Sequence, residues 1–202
     1  MRSPEAAGLA VSKNGLKIVV ANYYNDSVSV LDRSSGAWMK SGELDLRPGK
    51  IDSSKAGVAG GEYPFWVAIK GNDTAYVSSI RDREIDEVDI AGSPSLSARI
   101  AVKGQPNKMV LNQAASKLFV AIDESDTVAV IDTASRQILE TISVSAPDGI
   151  LPEAYKSLTG GNTNCVALSP DEKTLYVTDG NLNDIAVVSL DPSGSKVVGL
   201  IP

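Results

Sequence analysis

Polar and apolar residues alternate in short runs along this chain, and turn formers close each run. Residues 108–144 show the pattern. KMVLN, KLFVAI, TVAVID and ILETISV, rich in Val, Ile and Leu, are separated by stretches of Asn, Asp, Ser and Gln. Runs of this length and composition predict β-strands. Strands one and two of each group are joined by SKNG, KGND, NQAAS or SPDE, tight turns that suit antiparallel neighbours. No stretch carries a convincing 3.6-residue apolar period, so helix is expected to be scarce.

The pattern repeats. KIVVANYYNDSVSVLD, TAYVSSIRDREIDEVD, KLFVAIDESDTVAVID and TLYVTDGNLNDIAVVS align without gaps and begin at Lys17, Thr74, Lys117 and Thr174, at intervals of 57, 43 and 57 residues. The basic period is therefore 43 residues, with 14 more in two of the intervals. Four strands in a unit of about 40 to 45 residues predict the blade of a β-propeller. A β-sandwich of repeated hairpins is the alternative, but it has no reason to keep a fixed register. The expected blades are residues 9–47, 64–103, 106–145 and 164–202 of a single all-β domain, 1–202.

The unit VALSPDEKTLYVTDGNLNDIAVVSLD resembles the YVTN-type β-propeller repeat, with Tyr176, Val177, Thr178 and Asp179 at the naming strand and VVAN, YVSS and FVAI in the other units. In this reading Tyr176 and Val177 pack between blades. The resemblance extends to surface-layer and lactonase-type propellers, and most to the propeller modules attached to alkaline-phosphatase-like phosphoesterases. It implies a secreted or periplasmic full-length parent. The phosphatase metal motif is absent from the sequence, so that activity does not carry over. Propellers of the family have about seven blades, so four imply a fragment, two copies closing a ring of eight, or a closed four-bladed ring. Open terminal blades would expose apolar flanks, so self-association is expected.

Composition narrows the chemistry. The 202 residues are 43% hydrophobic and 22% charged, with a formal charge of -6 and no block of Lys or Arg, so nucleic acid is not an expected partner. No apolar run reaches the roughly 18 residues of a membrane span. MRSPEAAGLAVSKNGLKIVV is not a convincing signal peptide, because Glu5, Lys13 and Lys17 interrupt it. The absence of His removes Ser-His-Asp and Cys-His catalysis and His-ligated metals. Cys165 permits no internal disulfide and reads as a buried, inert thiol.

Function is then sought in the loops. NYYND (22–26), SIRDR (79–83), IDESD (122–126) and DGNLND (179–184) join second and third strands, and the insertions 47–66 and 146–163 join blades on the same face. Long loops on a rigid scaffold are where binding resides. Each insertion carries a Gly-Gly pair, an acid and a tyrosine. The candidate ligand-binding residues are Tyr23, Glu62, Tyr63, Arg81, Asp123, Glu153, Tyr155 and Asn181. The Gly-Gly pairs have a plainer reading as tight turns, and neither forms a phosphate loop. Asp123 and Asp126 are candidate ligands of an oxygen-coordinated cation such as Ca²⁺, against a turn whose carboxylates bond their own backbone. The run RDREIDEVD (81–89) is expected to be a solvated face, and Phe65 and Trp66 core packing. Two functions stay open: a non-catalytic scaffold binding a ligand or protein through its loop face, or a lactonase- or esterase-type hydrolase using an oxygen-ligated metal, including the propeller part of a larger phosphoesterase.

Overall fold

A computed structural model describes residues 5–147, 149 and 159–202. The chain divides into two compact units, Met1–Pro106 and Asn107–Pro202. In the first, β1 (Ala6–Val11), β2 (Lys17–Asn22), β3 (Ser27–Asp32) and β4 (Met39–Asp45) form one antiparallel sheet in chain order. A second sheet follows from β5 (Pro64–Lys70), β6 (Thr74–Ser79), β7 (Glu84–Asp89) and β8 (Ser95–Ala101). A third contains β9 (Gln105–Leu111), β10 (Lys117–Asp123), β11 (Thr127–Asp132) and β12 (Ile138–Ser143). The fourth contains β13 (Thr163–Leu168), β14 (Thr174–Asp179), β15 (Asp184–Ser189) and β16 (Lys196–Ile201). Each is a four-stranded propeller blade, as the period predicts. Among the described residues, helix is limited to α1 (Pro48–Ile51) and two 3-10 turns, Tyr23–Asn25 and Ser53–Lys55. None is long and apolar enough to cross a membrane.

The repeat extends to irregularities that no residue pattern announces. The third and fourth strands of every blade slip register at one equivalent point, Val30/Leu31, Glu87/Val88, Val130/Ile131 and Val187/Val188. These shifts recur at the sequence interval, so they belong to the blade and add local twist. The second hairpin of each blade also carries a left-handed residue at one equivalent position, Asp26, Arg83, Asp126 or Asn183, with φ between 49° and 58°, and the third blade adds Glu124 at 66°. Asp and Asn tolerate this conformation through local hydrogen bonding.

Within each unit the blades share a core. Val19, Ala21, Val28, Val30, Leu46, Val67, Ala75, Val77, Val88 and Ile90 form that of the first. Phe119, Val128, Val130, Ile142, Val177 and Val188 are among those of the second. Burying one such Val, Ile, Leu or Phe contributes roughly 1.5–3 kcal/mol. The middle strands β6, β7, β10 and β11 are buried along both faces, whereas the outer strand β16 alternates between exposed and half-buried.

Three expectations are corrected here. The RDREIDEVD run is no solvated face: Asp86 and Glu87 are buried with Ile85 and Val88, because β7 is a middle strand. Val177 is fully buried, but Tyr176 is 39% exposed and does not fill an interblade core. Cys165 is half-buried rather than enclosed.

Candidate functional site

Four candidates meet on the loop face of the first unit. Tyr23 begins the 3-10 turn of the β2–β3 hairpin, and Glu62 and Tyr63 end the connection from β4 to β5. The Tyr23 and Tyr63 ring centroids are 5.0 Å apart, Tyr24 lies 5.0 Å from Tyr23, and Phe65 lies 6.3 Å from it. Arg81, from the β6–β7 hairpin, bonds Glu62 at 2.6 Å and holds its guanidinium 5.9 Å from the Tyr63 ring centre. That distance is within cation–π range. Burial raises the Tyr23 phenol pKa, with help from the neighbouring Tyr24 and Tyr63. Phe65 thus joins an aromatic cluster at the surface instead of core packing, and it and Trp66 are half-buried.

Carboxylates hold this connection in place. Asp26 Oδ1 accepts the Tyr63 N–H at 3.1 Å, Asp82 Oδ2 the Glu62 N–H at 2.8 Å, and Glu84 Oε1 the Gly61 N–H at 2.8 Å. Arg47 donates to Asp45 and stands 3.6 Å from Asp26 Oδ2. Its partner's carboxyl is held below the usual range: burial opposes the charge, and the Arg47 side chain and N–H outweigh it. The loop face is therefore preorganised, its backbone donors occupied by acids from three hairpins or strand ends. The Gly61 N–H is consequently not free to receive an anion.

The second unit repeats the device. Asp126 accepts the Gly160 and Gly161 N–H groups, each at 2.6 Å. Asp123 accepts both contacts of the Asn162 side-chain amide at 3.0 Å, and Asn181 donates to the Gly160 carbonyl at 2.8 Å. Asp123 and Asn181 thus both brace residues 160–162. Glu153 and Tyr155 lie outside the described residues. A cation does not fit at Asp123 and Asp126, because N–H donors already occupy their oxygens and would face the ion. Among the described residues, no three His, Cys, Asp or Glu side chains are grouped to hold a metal.

Asp179 and Asp184 pair across the β14–β15 hairpin. Asp179 is 2% exposed and accepts the Thr163 hydroxyl at 2.6 Å. Burial raises its pKa to about 6, the Thr163 bond opposes this, and Asp184 and Asp126 add to the rise. Unfolded, it ionises near 3.8. Between these values the folded chain binds more protons, so this group's contribution to stability falls as pH rises and is flat above about 6. Asp179→Asn still accepts from Thr163. It is expected to stabilise the chain by about 1–2 kcal/mol above pH 7 and by little near pH 4. Urea unfolding at the two pH values checks this; an equal gain at both would refute it.

Sequence reasoning missed Asp26, Asp82, Glu84 and Tyr24. For Asp26 a signal was present. Of the four equivalent left-handed hairpin positions, only Asp26 and Asp126 carry Asp, and these are the two blades followed by long insertions.

No protein-family model matches the chain, and no curated protein matches it. Solved structures do. Hydrazine synthase of Kuenenia stuttgartiensis is 19% identical at TM-score 0.75, over 100% of this chain and 50% of that one. The periplasmic gluconolactonase of Pseudomonas aeruginosa is 18% identical at TM-score 0.72, over 97% and 56%. The β-propeller domain of Cps50 (Swd1) from Myceliophteria thermophila is 12% identical at TM-score 0.67, over 96% and 55%. The chain thus spans about half the length of these structures. At such identities the likeness is one of fold, a β-propeller.

Proposed function

We propose that this chain is a non-catalytic propeller scaffold that binds a ligand on the loop face of its first unit. One observation carries the reading: Tyr23, Glu62, Tyr63 and Arg81 come from three separate connections and converge on one surface patch. An aromatic platform with a tethered cation and acid presents apolar area and directional polar groups together, the composition of a recognition site. Arg81 is 61% exposed at its side chain, so it is within reach of a partner.

The test is an amide NMR titration of the full chain against small organic acids, aromatic amines, sugars and glucono-1,5-lactone. Shifts are expected to cluster at residues 23–24, 61–63 and 81. Tyr63→Ala and Arg81→Ala should each weaken the responding compound by about tenfold or more. Shifts scattered over the surface, or turnover of the lactone, would overturn the reading.

A further inference from the structure

Beside the aromatic patch, the helical part of the first connection borders an open pocket of about 420 Å³. Its polar lining is Arg47, Lys50, Arg81 and Glu62, and its apolar lining includes Ala56 and Val58. We infer that this pocket takes the anionic head of a small aliphatic acid, a carboxylate or a phosphate monoester, with its tail along Ala56 and Val58. The inference rests on the loop-face reading above and names its ligand class.

Three cations and one acid face the space. Glu62 is already committed to Arg81 at 2.6 Å. The acids near Arg47 are Asp45, which is not part of the lining, Asp26, which is 1% exposed, and more weakly Glu62. The Asp45 bonds and the Asp26 contact hold the guanidinium, which lowers the ordering cost of binding. Lys50 differs: among the described residues it makes no ion pair within 4.0 Å, its charge acts only at longer range on Asp45, and it is exposed on α1. A lysine and two braced guanidiniums form charge-assisted hydrogen bonds to oxyanions, and they repel cations. The formal charge of the chain is -6, so this cationic lining is a local departure from the background. Val58 is 56% exposed and offers an aliphatic wall beside the charges. The volume suits a metabolite-sized ligand rather than a peptide.

The experiment is calorimetric titration of the full chain with butanoate, n-butyl phosphate and the neutral butanamide, in low and high salt. At least one of the two anions is expected to bind, and its preference for carboxylate or phosphate identifies the head group. Butanamide should bind about tenfold more weakly or not at all. Lys50→Met should weaken the anion by about tenfold, and Lys55→Met, exposed and outside the lining, should leave it unchanged. Added salt should weaken binding further. No binding of either anion up to roughly 10 mM, equal binding of butanamide, or an unaffected Lys50→Met would overturn the inference. If neutral compounds still bind and are lost in Tyr63→Ala, the loop-face reading stands while the anion assignment falls.

Discussion

Arg99→Leu is expected to destabilise the chain by about 3–5 kcal/mol. Arg99 is on β8, the outer strand of the second blade. It donates to Glu84 Oε1 at 2.5 Å, to Asp86 Oδ1 at 2.8 Å, and to the Leu46 carbonyl just beyond the first blade. The side chains are 21%, 13% and 0% exposed for Arg99, Glu84 and Asp86. Asp86 is already held well above the usual carboxylate range: burial dominates, Arg99 opposes it, and Glu84 and Asp82 add to it. Among the described residues its second oxygen is buried without a hydrogen-bond partner. Without the guanidinium, buried Asp86 and partly buried Glu84 lose their shared donor, and the blade-to-blade tie to Leu46 is lost with it. Arg99→Lys keeps the charge but not the fork, so a smaller loss is expected. Urea unfolding measures both. A loss below about 1 kcal/mol for Arg99→Leu would place this cluster among ordinary surface pairs.

Gly61→Ala should cost about 2–4 kcal/mol and disorder the loop face. Gly61 has φ +68°, and a Cβ there would sit 2.4 Å from the Leu46 carbonyl oxygen and 2.5 Å from its carbon. Backbone and not a movable side chain is the obstacle. Moving Gly61 away breaks its N–H bond to Glu84, and Glu84 also anchors Arg99. Gly71→Ala is the control, with φ +62° and nothing within 4 Å of the new atom. It should cost only about 1 kcal/mol, the left-handed backbone penalty alone. Equal losses in thermal or urea unfolding for the two variants would show that close approach to Leu46 contributes nothing.

These two positions show where the sequence is legible. Gly60-Gly61 stood out as a pair, and its reading as a tight turn describes part of its role. Why Gly61 in particular excludes a side chain depends on Leu46, a residue 15 positions away whose carbonyl the chain must pass. Arg99 did not stand out at all. It lies among the residues SLSARIA, an unremarkable outer strand, and acquires its importance from two acids on the neighbouring strand. The alternating charge of RDREIDEVD points to a solvated strand, yet β7 is covered on both faces. Charge pattern alone does not reveal that a strand is covered on both faces.

The loop candidates divide in the same way. Asp123 drew attention as a possible cation ligand, and its oxygens instead fix Asn162. Nothing in the residue pattern singles out Arg47 or Lys50, and the fold brings both to the lining of one pocket.

What the sequence by itself determined is the blade. A 43-residue period, alternating strands and Asn/Asp/Gly/Ser turns specify four antiparallel four-stranded units, because local hydrogen bonding and side-chain alternation depend on neighbouring residues. Only the tertiary structure decided which carboxylates act as anchors, which strand buries its charges and which cations face a common space. Those outcomes depend on burial and on distances between residues from separate loops, and neither quantity is written in the local order of residues.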